Sequence, residues 1–116
     1  MPFVRSCLTQ LSFIWYSSGM VYEVRYTATY LAWYEKLKDV NVVARIGVRL
    51  KRIQMGNLGD VKAIGSGVSE IRIDYGSGYR IYYTMRKREI VVLLVGGDKK
   101  TQQNDIRKAV ELAKLI

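Results

Sequence analysis

In the N-terminal part of the chain, a segment of alternating apolar and polar residues is followed by a segment whose apolar residues are spaced as on one face of a helix. Residues 21–26 alternate between apolar and polar side chains, which predicts a strand. Thr27 can cap a helix that begins at Ala28 and ends near Lys38, because its hydroxyl can accept a hydrogen bond from a free backbone N–H group. The apolar face of this helix would consist of Tyr30, Leu31, Tyr34 and Leu37.

A second helix is predicted after a turn at Asp39. It would end at Gly56, where glycine suits the C-terminal cap. Its core side would carry Val43, Ile46, Leu50 and Ile53. Because only two or three residues would join the two helices, we expect them to pack as an antiparallel hairpin.

The C-terminal part is predicted to be mainly sheet. Residues 69–75 alternate strictly, 76–78 form a glycine-flanked three-residue turn, and 79–85 return as the next strand. After a turn at 86–89, residues 90–95 are apolar throughout, which is typical of a central strand. A last helix would present Ile106, Ala109, Val110 and Ala113 to the core. The order of one strand, two helices, three antiparallel strands and a helix indicates an α+β fold.

A hairpin that turns at Ser77 would decide which polar residues meet. It would pair Tyr75 with Tyr79, Asp74 with Arg80, and Arg72 with Tyr82. The sheet face opposite the core would then be open and collect Glu70, Arg72, Asp74, Arg80, Tyr82 and Thr84. This face would lie beside Lys99 and Lys100 and the start of the last helix, so it suits a bound phosphodiester.

Composition restricts the chemistry that is open to the chain. Its 116 residues fit one domain, and its formal net charge of +9 indicates an anionic partner such as nucleic acid, an anionic membrane or an acidic protein. The chain has no histidine, which excludes Ser–His and Cys–His catalysis and histidine-based zinc sites. The single cysteine, Cys7, cannot form an internal disulfide and fits a reducing cytoplasm. No apolar run reaches the roughly 18 residues of a transmembrane helix.

The first nineteen residues require a separate interpretation. The apolar stretch after Arg5 has the look of a short signal peptide, but Thr9, Gln10 and Ser12 interrupt it and no convincing small-residue cleavage site follows. Met20 opens the first predicted strand. We therefore predict that residues 1–19 are an N-terminal extension, or reflect an upstream start, and that 20–116 form the domain. The alternative is an additional strand or helix within 1–19.

Structural interpretations compete for several of these residues. Asp74 and Arg80 could form only a cross-strand ion pair, worth about a few tenths of a kcal/mol. Gly96 and Gly97 lack the G-K-[ST] continuation of a phosphate loop, so a sharp turn accounts for them. A solvated or partner-binding helix face is the simpler interpretation of Arg45, Arg49 and Arg52. Core or interface is the simpler interpretation of Tyr30, Trp33 and Tyr34.

Four ordered blocks of the sequence resemble one bacterial and phage-derived family. They are NLGDVK at 57–62, GSGVSEIR at 65–72, YGSGYRIY at 75–82 and VGGDKKTQ at 95–102. The chain from about Met20 to Ile116 resembles the HigB-like addiction-module killer proteins of the RelE/ParE toxin superfamily. The resemblance implies the RelE-like toxin fold, with an N-terminal strand and helical hairpin on an antiparallel sheet, followed by a C-terminal helix.

The same resemblance implies a function and its partners. The chain would be the cytoplasmic toxin of a type II toxin–antitoxin system, silenced by a HigA-like helix-turn-helix antitoxin. RelE-like members cut mRNA on the ribosome by attack of the ribose 2′-OH on the adjacent phosphate, and no cofactor or metal is implied. The residues that match the family's catalytic positions are Arg72, Arg80, Lys99 and Asp98, the last as a base or an orienting group. Those expected to contact RNA are Tyr82, Lys100, Gln102 and Lys62.

The chain also departs from the family's pattern. It lacks the histidines of some HigB relatives, and no tyrosine in its last helix matches that of RelE-like members. The general acid therefore stays unassigned at this point. Two alternatives remain open: a ParE-like inhibitor of DNA gyrase, which needs no catalytic residues, and a degenerate toxin that only binds antitoxin and operator DNA.

Overall fold

A five-stranded sheet forms the centre of the fold. The computed structural model describes residues 21–116, so the predicted extension at 1–19 lies outside the described residues. The strands are β1 (Glu23–Tyr26), β2 (Val61–Gly65), β3 (Val68–Ile73), β4 (Tyr79–Arg86) and β5 (Ile90–Gly97). The helices are α1 (Ala28–Glu35), α2 (Val40–Gln54) and α3 (Gln102–Leu115), and a 3-10 turn at Lys99–Thr101 precedes α3. The predicted α+β class is confirmed.

The sheet order is β1-β5-β4-β3-β2, so β5 is an interior strand as predicted. It pairs in parallel with β1 and antiparallel with β4. Strand β2 was not predicted. It pairs antiparallel with β3 at the edge of the sheet, and most of its residues are exposed, so its apolar residues do not alternate as those of a half-buried strand do. Within residues 21–116, no helix is long and apolar enough to cross a membrane.

Two side chains define where the first two helices begin. The Thr27 hydroxyl accepts a hydrogen bond from the backbone N–H of Tyr30 over 3.0 Å and caps α1 as predicted. Asp39 accepts one from the N–H of Asn41 over 2.9 Å and caps α2. Helix α1 ends at Glu35, three residues before the predicted end at Lys38, because the chain must turn before Asp39 starts the next helix. Gly56 follows α2 with a φ of 98°, a conformation that favours glycine.

The sheet is covered on both faces, which corrects the prediction of an open face. Helices α1 and α2 enclose one apolar core with residues that include Tyr30, Ile46 and Ile81. Helix α3 encloses a second core on the other face, where Ala109 and Ala113 pack near Val68, Tyr82, Val92, Leu94 and Val95. Glu70, Tyr82 and Thr84, all predicted to lie on the open face, are buried there. Because the two alanines of α3 are small, the helix can lie close to the sheet.

The β3–β4 hairpin has a different register from the predicted one. Ile73 pairs with Tyr79, Arg72 with Arg80, and Glu70 with Tyr82. The connecting loop is therefore five residues long, 74–78, and within it the N–H of Tyr75 donates to the carbonyl of Ile73 over 2.8 Å and the N–H of Gly78 donates to the carbonyl of Tyr75 over 3.2 Å. The Asp74–Arg80 ion pair is consequently absent from the described residues, and Arg80 instead lies 3.5 Å from Glu70.

Gly96 and Gly97 belong to β5 and do not form the predicted sharp turn. A Cβ atom at Gly96 would overlap with the ring of Trp33 from α1, and one at Gly97 would overlap with the carboxylate of Asp105 from α3. The two glycines thus allow a helix to approach each face of the same strand. This close packing also explains why Trp33 is partly buried against the core, as predicted for the aromatic residues of α1.

Candidate functional site

An open cleft of about 520 Å³ lies at the end of the sheet where the β3–β4 hairpin turns. Three of the four predicted catalytic residues line it: Arg72 from β3, Arg80 from β4 and Lys99 from the turn before α3. The carboxylate residues Asp60 and Asp74 line it as well. Two guanidinium groups and one ammonium group thus present hydrogen-bond donors at the walls, and such donors suit the oxygens of an anionic group.

Arg80 is the most enclosed of the three cations, and its side chain is 13% exposed. Its Nη1 atom donates a hydrogen bond to the carbonyl of Gly78 in the hairpin loop over 2.9 Å. Its Nε atom lies 3.5 Å from Oε1 of Glu70, close enough for an ion pair but beyond hydrogen-bond distance. The guanidinium is thereby held at the wall of the cleft from two sides.

Arg72 lies directly across the hairpin from Arg80, and both side chains project from the same face of the sheet. Like charges in this arrangement destabilise a sheet unless each is countered. Asp60 provides the counter-charge for Arg72, whose Nη2 atom donates a hydrogen bond to Oδ1 over 3.2 Å, and Glu70 provides it for Arg80. The Arg72 side chain is 41% exposed and remains accessible from solvent.

The arginines of α2 differ from one another in role. Arg49 is partly buried and donates to the backbone carbonyls of Leu58, Asp60 and Arg72, so the prediction of a solvated face is wrong for this residue. Burial lowers the pKa of its guanidinium. Arg45 lies over the ring of Tyr75, 4.7 Å from the ring centre, which is a cation–π contact.

Asp98 holds the turn that carries Lys99. Its Oδ1 atom accepts a hydrogen bond from the N–H of Lys100 over 2.9 Å, and its Oδ2 atom accepts one from the hydroxyl of Ser77 over 3.2 Å. The turn before α3 is thus connected to the hairpin loop. Lys99 is exposed and lines the cleft, whereas Asp98 does not line it. These contacts fit an orienting role for Asp98 better than that of a base.

The four residues expected to contact RNA are not among those that line the cleft. Tyr82 is fully buried on the α3 side of the sheet, and its ring is not available to stack on a base. Burial raises the pKa of its hydroxyl, with smaller contributions from Glu70 and Asp105. Lys62 and Lys100 are exposed, and Gln102 is partly buried at the start of α3.

Sequence reasoning missed the roles of two carboxylates at this site. Glu70 was placed on the correct face but without a function, because the predicted register paired Arg80 with Asp74. Asp60 occurs in the first family block, immediately before the unpredicted strand β2, where it faces Arg72. The correct register of the hairpin would have provided the signal for Glu70, whereas Asp60 required the prediction of strand β2 and its pairing with β3.

Comparison of the chain with known protein families identifies one family. The family model described as "Phage derived protein Gp49-like" matches residues 33–114. An uncharacterized protein of Haemophilus influenzae (strain Rd) is 45% identical over 94 residues, which cover 81% of this chain and 95% of the relative. No solved structure matches significantly. Because the family model spans most of the fold described above, the chain belongs to the Gp49-like family of phage-derived proteins, a toxin-like family of the addiction-module type.

Proposed function

We propose that this protein is a HigB-like toxin of the RelE/ParE superfamily and that it cuts mRNA as an endoribonuclease. The observation that carries the proposal is the convergence of Arg72, Arg80 and Lys99 on one open cleft of about 520 Å³. Two arginine forks and a flexible lysine are groups that bind phosphate oxygens well. Membership in a phage-derived, toxin-like family supports the same conclusion.

In the proposed reaction, the 2′-oxygen of a ribose forms a bond to the adjacent phosphorus while the bond from phosphorus to the 5′-oxygen breaks. The upstream fragment keeps a 2′,3′-cyclic phosphate, and the downstream fragment receives a 5′-hydroxyl. One proton must leave the 2′-hydroxyl and another must reach the departing 5′-oxygen. Negative charge grows on the phosphorane oxygens, so fixed cations at those oxygens lower the barrier.

Each residue of the cleft has a role in this proposal. Arg72 and Arg80 contact the non-bridging phosphate oxygens. Lys99, which is exposed, stabilises the departing 5′-oxygen and supplies its proton. Asp74 is the cleft carboxylate that has no salt bridge within the described residues. We assign it the role of the general base, which accepts the proton of the 2′-hydroxyl. Asp98 orients the turn that carries Lys99.

The proposal includes the partners and the compartment. The family membership supports an antitoxin as the silencing partner, and we propose a HigA-like helix-turn-helix protein for this role. The substrate would be mRNA on the ribosome, in the cytoplasm. Lys62, Lys100 and Gln102 would then be peripheral contacts to RNA outside the cleft.

The test is to induce the full-length chain in bacteria and to map RNA ends that carry a 2′,3′-cyclic phosphate. We expect such ends within translated regions, together with growth arrest that an antitoxin gene beside the toxin gene relieves. Intact mRNA together with double-strand DNA breaks would contradict the proposal in favour of a gyrase inhibitor. Intact mRNA without growth arrest, but with antitoxin bound, would identify a degenerate toxin.

A further inference from the structure

Glu70 is a carboxylate buried within the sheet beside the cleft. Its side chain is 2% exposed, and it lies in β3 directly opposite Tyr82 of β4. Removing a carboxylate from water is costly unless a cation or several hydrogen bonds compensate for it. Within residues 21–116, the cation that compensates Glu70 is Arg80, at 3.5 Å between Oε1 and Nε.

The pairing determines which part of the Arg80 guanidinium faces the cleft. Glu70 lies at Nε, and the carbonyl of Gly78 accepts a hydrogen bond from Nη1. The Nη2 atom makes no hydrogen bond to the part of the chain that the structure describes, and Arg80 lines the cleft. We infer that Glu70 is a positioning residue, which fixes the Arg80 guanidinium at the cleft wall with one amino group free for a phosphate oxygen. This inference rests on the proposed function.

The surroundings of Glu70 do not suit a role in stability alone. Glu70 Oε1, Arg80 Nε and the Tyr82 hydroxyl are all buried without a hydrogen-bond partner among the described residues. On the α3 side, Asp105 adds a second buried carboxylate, bonded to the hydroxyl of Thr101. Apolar residues of similar size would pack here without these unsatisfied groups, and such replacements are often neutral or stabilising.

A fixed guanidinium has a catalytic advantage that explains this arrangement. A free arginine side chain must lose its rotational freedom when it binds phosphate, whereas a guanidinium held by Glu70 and Gly78 has already lost it. The ion pair also orients the Arg80 guanidinium before RNA arrives, so little reorganisation is needed as charge develops on the phosphorane.

The first arm of the test measures how firmly Arg80 is held. In the full-length protein, the Nε–Hε signal of Arg80 is assigned by NMR from its loss in Arg80→Lys, and its hydrogen exchange with water is measured. We expect Glu70→Gln to accelerate this exchange about tenfold or more, because the variant removes the ion pair that holds the guanidinium; a tenfold change corresponds to about 1.4 kcal/mol. The exchange rate in Glu70→Asp should lie between those of the wild-type protein and Glu70→Gln. Unchanged exchange in Glu70→Gln would overturn the inference.

The matched control is Glu23→Gln. Glu23 pairs with Arg25 at 2.7 Å near the surface of β1, so this variant removes an ion pair without contacting the cleft. It should leave the Arg80 exchange rate unchanged. If Glu23→Gln accelerated exchange as much as Glu70→Gln does, the effect would be general destabilisation and the inference would be wrong.

The second arm measures cleavage of the mRNA that the wild-type protein cuts, with ribosomes present if they are required. We expect Glu70→Gln to lower kcat about tenfold while KM changes by less than about threefold, because the fixed guanidinium acts mainly on transition-state charge. Glu70→Asp should recover part of kcat. A folded Glu70→Gln protein with wild-type kcat would overturn the inference. If the wild-type protein cuts no RNA, the proposed function fails, and the exchange measurement still decides whether Glu70 holds Arg80.

Discussion

The guanidinium of Arg49 donates a hydrogen bond to the backbone carbonyl of Arg72 over 2.6 Å. The same guanidinium reaches the carbonyls of Leu58 and Asp60, each over 3.1 Å. One side chain of α2 therefore holds both the strand that carries Arg72 and the segment that carries its counter-ion Asp60. The geometry of the cleft depends in this way on a residue that does not line it.

Arg49→Ala should lower the free energy of unfolding by about 2 kcal/mol or more, because hydrogen bonds from a charged donor are worth about 1.5–3 kcal/mol each and the carbonyls would lose them together. Urea unfolding measures this change. Arg49→Lys should recover little, since a lysine cannot donate to three acceptors with a planar fork. The control is Arg52→Ala, an exposed residue of the same helix, which should change stability by less than about 0.5 kcal/mol. Equal effects at both positions would contradict the role given to Arg49.

The predicted register of the β3–β4 hairpin was wrong, yet Arg72 and Arg80 were predicted on the correct face of the sheet. The predicted pairing differed from the observed one by two residues, and side chains alternate between faces with a period of two. Arg72 and Arg80 therefore stayed on the face where the prediction had placed them. The register itself depends on the loop, where positive φ angles at Gly76 and Gly78 allow five residues in place of three. A sequence pattern alone does not distinguish these loops.

Other features could not be predicted because they depend on packing between distant segments. The apolar side of α3 was predicted correctly, with Ala109 and Ala113 buried, but which face of the sheet it covers was not. Burial of Tyr82 follows from that docking. In the same way, Gly96 and Gly97 have a sequence typical of a turn, and only the positions of Trp33 and Asp105 explain them.

Substitution by alanine should have opposite effects on stability at two glycines. Gly97→Ala should destabilise the fold by about 1–3 kcal/mol, because its methyl group would overlap with Asp105 and Thr101. Gly47 lies within α2 with no atom within 4 Å of a Cβ built there, so Gly47→Ala should stabilise the fold by about 0.5–1 kcal/mol. Thermal unfolding of both variants measures the two effects. Changes of the same sign would contradict the close contact of Asp105 and Thr101 with Gly97.

The buried hydroxyl of Tyr82 should make stability decrease at high pH. Burial raises the pKa of Tyr82 above the unfolded value near 10, so the stability contributed by the neutral form is fully present below about pH 10 and is lost as the pH rises further. Tyr82→Phe removes this group, and the decrease in unfolding free energy between about pH 10 and 12 should become smaller.

Tyr30 provides a second test of the same effect on the other side of the sheet. Burial raises the pKa of Tyr30 as well, so Tyr30→Phe should also reduce the alkaline loss of stability, and the double variant should reduce it further. Urea unfolding at several pH values measures each curve. A Tyr82→Phe curve that matches the wild-type curve throughout would contradict the burial of the Tyr82 hydroxyl.

The predicted domain boundary can be tested with a chain that starts at Met20. The backbone N–H of Val21 donates to the carbonyl of Gln54 over 2.6 Å, so the first described residue already bonds to the end of α2. We expect residues 20–116 to unfold at the same temperature as the full chain and to arrest growth, with relief by the antitoxin. A chain that starts at Glu23 lacks this bond and should be less stable. If 20–116 is insoluble while 1–116 folds, residues 1–19 belong to the domain.

Substitution of Lys99 is the best test of catalysis, because it should affect cleavage without affecting folding. Removing Arg80 would leave Glu70 buried without its counter-ion, which costs about 3–5 kcal/mol, so an inactive Arg80→Ala protein could simply be unfolded. Lys99 is exposed and makes no salt bridge within the described residues, so Lys99→Ala should leave stability unchanged. Loss of one group that stabilises transition-state charge costs about 3–4 kcal/mol, so cleavage should fall on the order of a hundredfold or more.

The measurements for Lys99→Ala are growth arrest, cleavage rate, circular dichroism and antitoxin pull-down. The matched control is Lys114→Ala, since Lys114 is an exposed lysine in the last turn of α3 and does not line the cleft. Both variants lose one positive charge, so the two proteins have the same net charge. The difference between them therefore isolates the local action of Lys99 at the phosphate. A folded, antitoxin-binding Lys99→Ala protein that cuts mRNA as fast as Lys114→Ala would show that the cleft is not the site of cleavage.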